Sequence, residues 1–305
     1  MLQLALYNGL RLSGSGYEAD PTQTVTGSLT RLNVITTQIN GTYQKGTYGN
    51  IQNCVQDIID ATSGHTLGAI VAVGGLIIGK AAAQKLSSLS STVPLATIIG
   101  RRNANVEAYS HSEGYYFDDD TTVTQTLKAK IDELLQYSGM TSTDGQNLWL
   151  LYNGNSEMGD AEKTAWSSIL TGSPYNVASP HSINVAVDSQ GRSVQNKDIN
   201  IRSAFQTAKS GGAKAIVVSG DPYFTYRLQR IIRIAGAKNF SNLIMSYPVM
   251  EYSDEAKDAG MGSSNYFAYG PSLSDAYFNL GALVANQLKG TAPTTRFSQV
   301  TFTHS

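Results

Sequence analysis

The chain has 305 residues, 41% of them hydrophobic and 15% charged, with a net charge of −1. At roughly 150 residues per domain, that is chain for about two domains with a real core. The composition excludes a highly charged disordered chain, and the charge balance gives no pull toward nucleic acid or an anionic membrane. One cysteine, Cys54, excludes an internal disulfide framework and a cysteine-rich zinc site.

Short apolar runs alternate with amphipathic stretches, the pattern of βαβ units around parallel sheets. Residues 2–7 read as a first strand, 8–21 as a Gly- and Ser-rich loop, 22–32 as a helix and 35–43 as a second strand. In 49–62, Ile51, Val55, Ile58 and Ile59 recur at helical spacing and predict a helix. The continuous apolar run 67–73 predicts a third strand buried on both faces. A helix over 76–89 and a fourth strand over 94–99 follow. The apolar stretch 69–83 contains Gly74, Gly75, Gly79 and Lys80, and is too short and interrupted to span a bilayer.

The rhythm then restarts after a junction near 113–120. Residues 121–137 predict a long helix with Leu127, Ile131, Leu134 and Leu135 on one face. Strands are expected over 147–152, 182–187, 213–218, 243–247, 266–269 and 297–303. Helices are expected over 161–170, 199–210, 223–235, 252–259 and 273–288. Two successive α/β halves are the simplest organisation.

Catalytic signatures are weak. Gly74 to Lys80 matches part of a phosphate-binding loop but departs at Ala81, where a hydroxyl should hold magnesium. The backbone N–H groups opening the helix after Gly74 and Gly75 remain suited to an anion such as a carboxylate. Gly14 to Ala19 imitates a dinucleotide fingerprint, but Asp20 and Pro21 interrupt the helix it needs, so it reads as a loop. His65, His111, His181 and His304 form no metalloprotease spacing, and no Gly-x-Ser-x-Gly elbow occurs. Asp118, Asp119 and Asp120 do not share a face, and read as the cap of the helix that follows. No enzyme activity, cofactor or metal is expected.

Polar and aromatic residues do gather after the expected strands. Tyr7 and Asn8 follow the first, Gly74 and Gly75 the third, and Arg101 and Arg102 the fourth. Asn153, then Asp221 and Tyr223, then Tyr269 follow strands of the second half. Open parallel sheets bind ligands beyond the carboxyl ends of their strands. These residues are the candidate ligand site, although any one such loop is equally explained as ordinary polar surface. Arg101 either holds a carboxylate in a bidentate pair or is a solvated edge residue. Asp221 either caps the helix opened by Pro222 or accepts hydrogen bonds from a ligand ammonium or hydroxyl. Tyr223 and Phe224 supply an apolar or stacking wall.

Residues 212–224 (GAKAIVVSGDPYF), 269–277 (YGPSLSDAY) and 288–293 (LKGTAP), with Ile70 to Gly75 and Val93-Pro94, resemble a known family. It is the substrate-binding proteins of ABC transporters with the type I periplasmic-binding fold, in the subfamily some of whose members bind aromatic amino acids. The resemblance covers nearly the whole chain. It departs at Gly74-Gly75, where relatives often carry Gly-Thr, and at Arg101-Arg102, where they often carry Asp-Pro.

The resemblance implies two Rossmann-like lobes with parallel sheets joined by a three-strand hinge. Lobe one would be 1–108 plus 265–290, and lobe two 109–264 plus 291–305. It also implies an extracytoplasmic component that captures a small amino-acid-like or carboxylate solute between its lobes by hinge closure. Its partners would be that solute and the membrane permease of an importer, with no nucleic acid, and the chain would act as a monomer. The start of the chain shows no basic segment or cleavage site. It is expected to be cytoplasmic or, if the resemblance holds, a periplasmic or lipid-anchored extracellular protein without its signal. The alternative is a ligand-sensing receptor or regulator domain of the same fold.

Overall fold

The computed structural model describes residues 2–12, 17–19, 30–32, 34, 49–62, 66–73, 75–119, 122–187, 190–192, 194, 197–225, 227–240, 243–247, 266–291, 295–300 and 302–304. They fall into two units: Met1–Phe117 with Ser272–Thr301, and Asp118–Pro271 with Phe302–Ser305. The chain therefore passes from one unit to the other after residues 117, 271 and 301.

Unit 1 opens on a helix, α1 (Leu2–Leu12), where a strand and a loop were expected. Leu2, Leu4 and Leu6 alternate as in a strand, but Leu6, Tyr7 and Leu10 form the helical stripe that packs against Ala276, Leu280, Val284 and Ala285. Strands β1 (Tyr17–Glu18) and β2 (Thr30–Arg31) pair in parallel. The expected helix over 22–32 thus ends in a strand, and its residues 22–29 lie outside the described residues, as does the expected strand over 35–43. Helix α2 (Gly49–Ala61), strand β3 (Ile70–Ala72), helix α3 (Leu76–Ser88) and strand β4 (Leu95–Arg101) fall where the periodicity places them. Gly79 and Lys80 lie inside α3, and Lys80 is buried, so this segment is no phosphate loop. A short helix α4 (Ala104–Glu107) leads into β5 (Ser112–Asp118).

Unit 2 follows with α5 (Val123–Ser138), β6 (Leu148–Tyr152), α6 (Glu157–Thr171), β7 (His181–Asn184), α7 (Lys197–Ser210) and β8 (Ala215–Val218). The helix expected over 223–235 is broken into α8 (Pro222–Thr225) and α9 (Leu228–Ala235). Strands β9 (Ile244–Tyr247) and β10 (Tyr266–Pro271) complete the run, and the helix expected over 252–259 lies outside the described residues. The chain returns to unit 1 for α10 (Leu273–Leu288) and β11 (Phe297–Gln299), then to unit 2 for β12 (Phe302–His304).

Unit 1 contains a four-stranded sheet ordered β11-β5-β4-β3, and unit 2 a six-stranded sheet ordered β12-β10-β9-β8-β6-β7. In unit 2 the neighbouring strands from β7 to β10 pair in parallel, and β12 pairs with β10 antiparallel. These partners place the boundaries differently from the expected lobes. Residues 109–117 belong with unit 1 because β5 sits between β4 and β11. Residues 291–301 join them because the Arg296 guanidinium donates to the carbonyls of Glu107, Tyr109 and Ser112 at 3.1, 2.6 and 3.1 Å. Residues 265–271 belong with unit 2 because β10 pairs with β9.

The α1–α10 contact needs two glycines. A Cβ at Gly281 would lie 2.0 Å from the Leu6 carbonyl oxygen, and one at Gly9 would lie 1.8 Å from that of Phe278. Gly281→Ala should therefore push the helices apart and cost about 1–3 kcal/mol, the usual range for overpacking. A urea midpoint unchanged from the parent would show that the helices do not approach this closely.

Candidate functional site

The parallel strands of unit 2 put their carboxyl ends on one edge of the sheet. Tyr152 pairs with Asn184, Leu151 with Val218, and Ala268 with Tyr247, so the segments after β6, β7, β8 and β10 emerge on that edge. Asn184 shapes the corner: its Oδ1 accepts from Gly154 N–H at 2.8 Å and Ala186 N–H at 2.9 Å. Asn153 is buried beside it, and its Oδ1 accepts from Asn155 N–H at 3.2 Å.

Ser156 and Asp221 latch the β6 and β8 loops together. Ser156 is the N-cap of α6, where its Oγ accepts from Gly159 N–H at 3.0 Å and donates to Asp221 Oδ2. Asp221 Oδ1 accepts from Tyr223 N–H at 2.7 Å, and its own N–H donates to Ser219 Oγ at 3.1 Å. Asp221 is therefore a cap of α8, and it is buried. The Tyr223 ring carries the Arg227 guanidinium 4.3 Å from its centroid and meets Phe224 edge-on at 5.2 Å.

Beneath this edge lies a cluster of buried charges. Lys130 on α5 and Glu162 on α6 are both buried, with Asp118 at the end of β5 beside them. Lys130 Nζ donates to the Val218 carbonyl at 3.1 Å. Glu162 accepts from Ser219 Oγ and, at 3.1 and 3.2 Å, from Gly220 N–H. Burial pushes the Glu162 carboxyl up to about 7, against the pull of Ser219 and Lys130. Burial also pushes Lys130 down to about 8, against the attraction of Glu162 and Asp118.

The residues expected to bind ligand fare differently. Asn153, Asp221 and Tyr223 are brought to one edge, and half-buried Tyr269 lies on β10, which ends on that edge. Burial, with Glu133 and Asp118 nearby, raises the Tyr269 hydroxyl above its ordinary range. Tyr7 and Asn8 do not end a strand. They lie within α1, where Tyr7 is buried against α10 and accepts from Gln3 Nε2 at 2.6 Å, while Asn8 is exposed. Gly74 lies outside the described residues. Gly75 opens α3 with φ of 109°, a conformation that favours glycine. Arg101 ends β4, half-buried, while its neighbour Arg102 is an exposed partner of Glu107 at 2.6 Å.

Asp119 Oδ1 accepts from the N–H of Thr122, the residue before α5, at 2.8 Å, while the N-cap of α5 is Thr122 itself, without a side-chain cap bond. Sequence reasoning missed Ser156, Asn184, Lys130 and Glu162. Lys130 and Glu162 carried a signal: each sits on the apolar stripe of its helix, Lys130 between Leu127 and Leu134, and Glu162 between Met158 and Trp166. Among the described residues no group of His, Cys, Asp and Glu is placed to hold a metal ion, and no helix is long and apolar enough to cross a membrane.

No protein-family model and no curated protein sequence matches the chain. Solved structures do. An ABC transporter solute-binding protein from Burkholderia graminis, in complex with D-arabinose, has a TM-score of 0.61 at 8% identity, over 100% of this chain and 91% of that one. A second, from Agrobacterium vitis with bound D-fucose, has a TM-score of 0.56 at 9% identity, over 100% and 91%. The transcription regulator CcpA of Lactococcus lactis has a TM-score of 0.53 at 9% identity, over 85% and 83%. The chain has the α/β fold with parallel sheets of type I periplasmic binding proteins, the fold of ABC transporter solute-binding proteins.

Proposed function

We propose that the chain is the extracytoplasmic solute-binding component of an ABC importer, which presents a small solute to a membrane permease and does no chemistry on it. The observation that supports this most is the gathering of Asn153, Asp221, Tyr223 and Tyr269 at the carboxyl edge of a parallel sheet, in a fold that binds ligands at such edges. Solute binding favours the conformation that holds it best and shifts the population toward it. The protein works as a monomer in the periplasm or tethered outside the cell.

A monosaccharide is the solute class these residues suit best. The Asn153 amide and Asp221 carboxylate suit hydroxyl groups, and the tyrosine rings suit the apolar face of a sugar. Arg101 at the end of β4 favours a second reading, an amino-acid or carboxylate solute held by its guanidinium. The likeness to a regulator supports a sensing module of the same fold as the alternative role.

A thermal-shift panel of monosaccharides, amino acids and carboxylates tests the proposal. A solute at a hundred times its dissociation constant adds about 2.7 kcal/mol of stability, so a true ligand stands clear of the rest. No shift from any class would count against solute binding.

Asp221→Asn then separates capping from binding. Asn accepts from Tyr223 N–H as Asp does, so stability should change by no more than about 1 kcal/mol through the altered Ser156 bond. Loss of the charged acceptor should weaken the solute about tenfold or more, or about 1.4 kcal/mol. Calorimetric titration showing full affinity would leave Asp221 a cap alone.

A further inference from the structure

Lys130 and Glu162 take no part in the solute contacts proposed above, yet a fold retains buried charges only where they are paired and hydrogen-bonded. Both reach the same short segment, the exit of the chain from β8. Lys130 Nζ donates to the Val218 carbonyl at 3.1 Å, and Glu162 accepts from Ser219 Oγ and from Gly220 N–H at 3.1 and 3.2 Å. Ser219 Oγ in turn accepts from Asp221 N–H at 3.1 Å. Two helices thus hold three consecutive residues, and the last bond of the chain ends on the residue that faces the solute in the proposed site.

We propose that Glu162 is a positioning residue that senses protons: its ionised carboxylate holds the 218–221 segment so that Asp221 is set for solute, and protonation relaxes that hold. The inference rests on the solute-binding reading for its effect on affinity, but not for its effect on the segment.

The chemistry of the relay gives the direction. An ionised Glu162 can only accept, so Ser219 must donate to it, which leaves the Ser219 lone pairs for Asp221 N–H. A protonated Glu162 carries one O–H: on Oε2 it donates to Ser219 Oγ and the Ser219 hydroxyl hydrogen turns elsewhere, and on Oε1 it leaves Ser219 only a neutral acceptor. Gly220 N–H then meets a neutral acceptor, and charge-assisted bonds are roughly twice as strong as neutral ones. The charges facing Glu162 are Lys130 from α5 and Asp118 from β5, with Asp221 beyond Ser219. Asp118 also acts on Tyr269 of β10. Burial places the Glu162 proton near neutrality, so the relay changes state between mildly acid and mildly alkaline solution.

The test compares wild type, Glu162→Gln and Ser219→Ala. Ser219→Ala breaks the same relay and keeps the test decisive if Glu162→Gln does not fold. Amide hydrogen exchange over 218–221 is measured without solute at pH 8 and pH 5.5, as protection relative to the unstructured rate. At pH 8 both variants should be less protected than wild type by about tenfold, the worth of one hydrogen bond to a charged group. At pH 5.5 wild type should fall to the level of Glu162→Gln. Parallel pH trends in wild type and Glu162→Gln, or equal protection at pH 8, would overturn the proposal whether or not any solute binds.

Titration with D-arabinose is the second arm. Wild-type affinity should drop about tenfold from pH 8 to pH 5.5, and that of Glu162→Gln should stay level at the lower value. A pH-independent wild-type affinity would also overturn the proposal. Absence of D-arabinose binding at either pH would count against the sugar reading, and the exchange arm alone would then decide the role of Glu162.

Discussion

Replacing Lys130 with Met should lower stability at pH 8 by about 3–5 kcal/mol, the cost of removing one partner from a buried ion pair. Met fills the volume of the Lys stem, so the loss comes from charge. Glu162 loses the cation that favours its ionised form, so it either stays ionised at a cost or takes up a proton at a cost, and the Val218 carbonyl loses its donor. The pH dependence follows from the two shifts. The Glu162 carboxyl is raised, so its contribution to stability is full below its unfolded value of 4.5 and is lost as pH rises through about 7. Lys130 is lowered, so its contribution is full above 10.5 and is lost as pH falls through about 8. At pH 5 the folded protein holds Glu162 protonated, and Lys130→Met then removes a buried cation with little left to neutralise. The destabilisation should therefore shrink between pH 8 and pH 5. The double variant Lys130→Met/Glu162→Gln at pH 8 should cost less than the two single changes added together. Urea unfolding of the parent and three variants at both pH values measures this, and equal losses at pH 5 and pH 8 would refute the charge account.

The elements legible in the sequence are those whose periodicity belongs to one segment. Ile51, Val55, Ile58 and Ile59 mark α2, and Leu127, Ile131, Leu134 and Leu135 mark α5, without reference to any partner. The elements misjudged are those settled by distant residues. Residues 2–7 alternate like a strand, and only the groove of α10, more than 260 residues away, makes a helix of them. Residues 297–303 read as one strand, but the chain leaves unit 1 at Thr301, so β11 pairs with β5 and β12 with β10. The candidate site divides in the same way. Asn153, Asp221 and Tyr223 were legible because polar residues after apolar strands mark a carboxyl edge. The latch from Ser156 to Asp221 spans two loops and has no local signature.

Trp166→Ala should be about as costly as losing Lys130, at about 3–5 kcal/mol, because it empties a large fully buried side chain from the core of unit 2. Trp166 is 0% exposed and packs among Leu127, Ile131, Leu150, Val217 and Phe267. Its Nε1–H donates to the His181 carbonyl at 3.0 Å, which ties α6 to β7. Trp166→Phe is the control. It keeps a six-membered ring but loses the donor and part of the indole volume, so its cost should be smaller, about 1–3 kcal/mol. The two variants should also differ at the candidate site. Glu162 lies one turn before Trp166, and Ser156 caps the same helix, so the core grip on α6 sets where both side chains reach the β8 segment. In Trp166→Ala the amide protection of 218–221 should fall together with global stability, while in Trp166→Phe it should stay near the parent's. A Trp166→Ala variant that loses less than about 1.5 kcal/mol in urea, or that keeps full protection over 218–221, would show that α6 is held by something other than this contact.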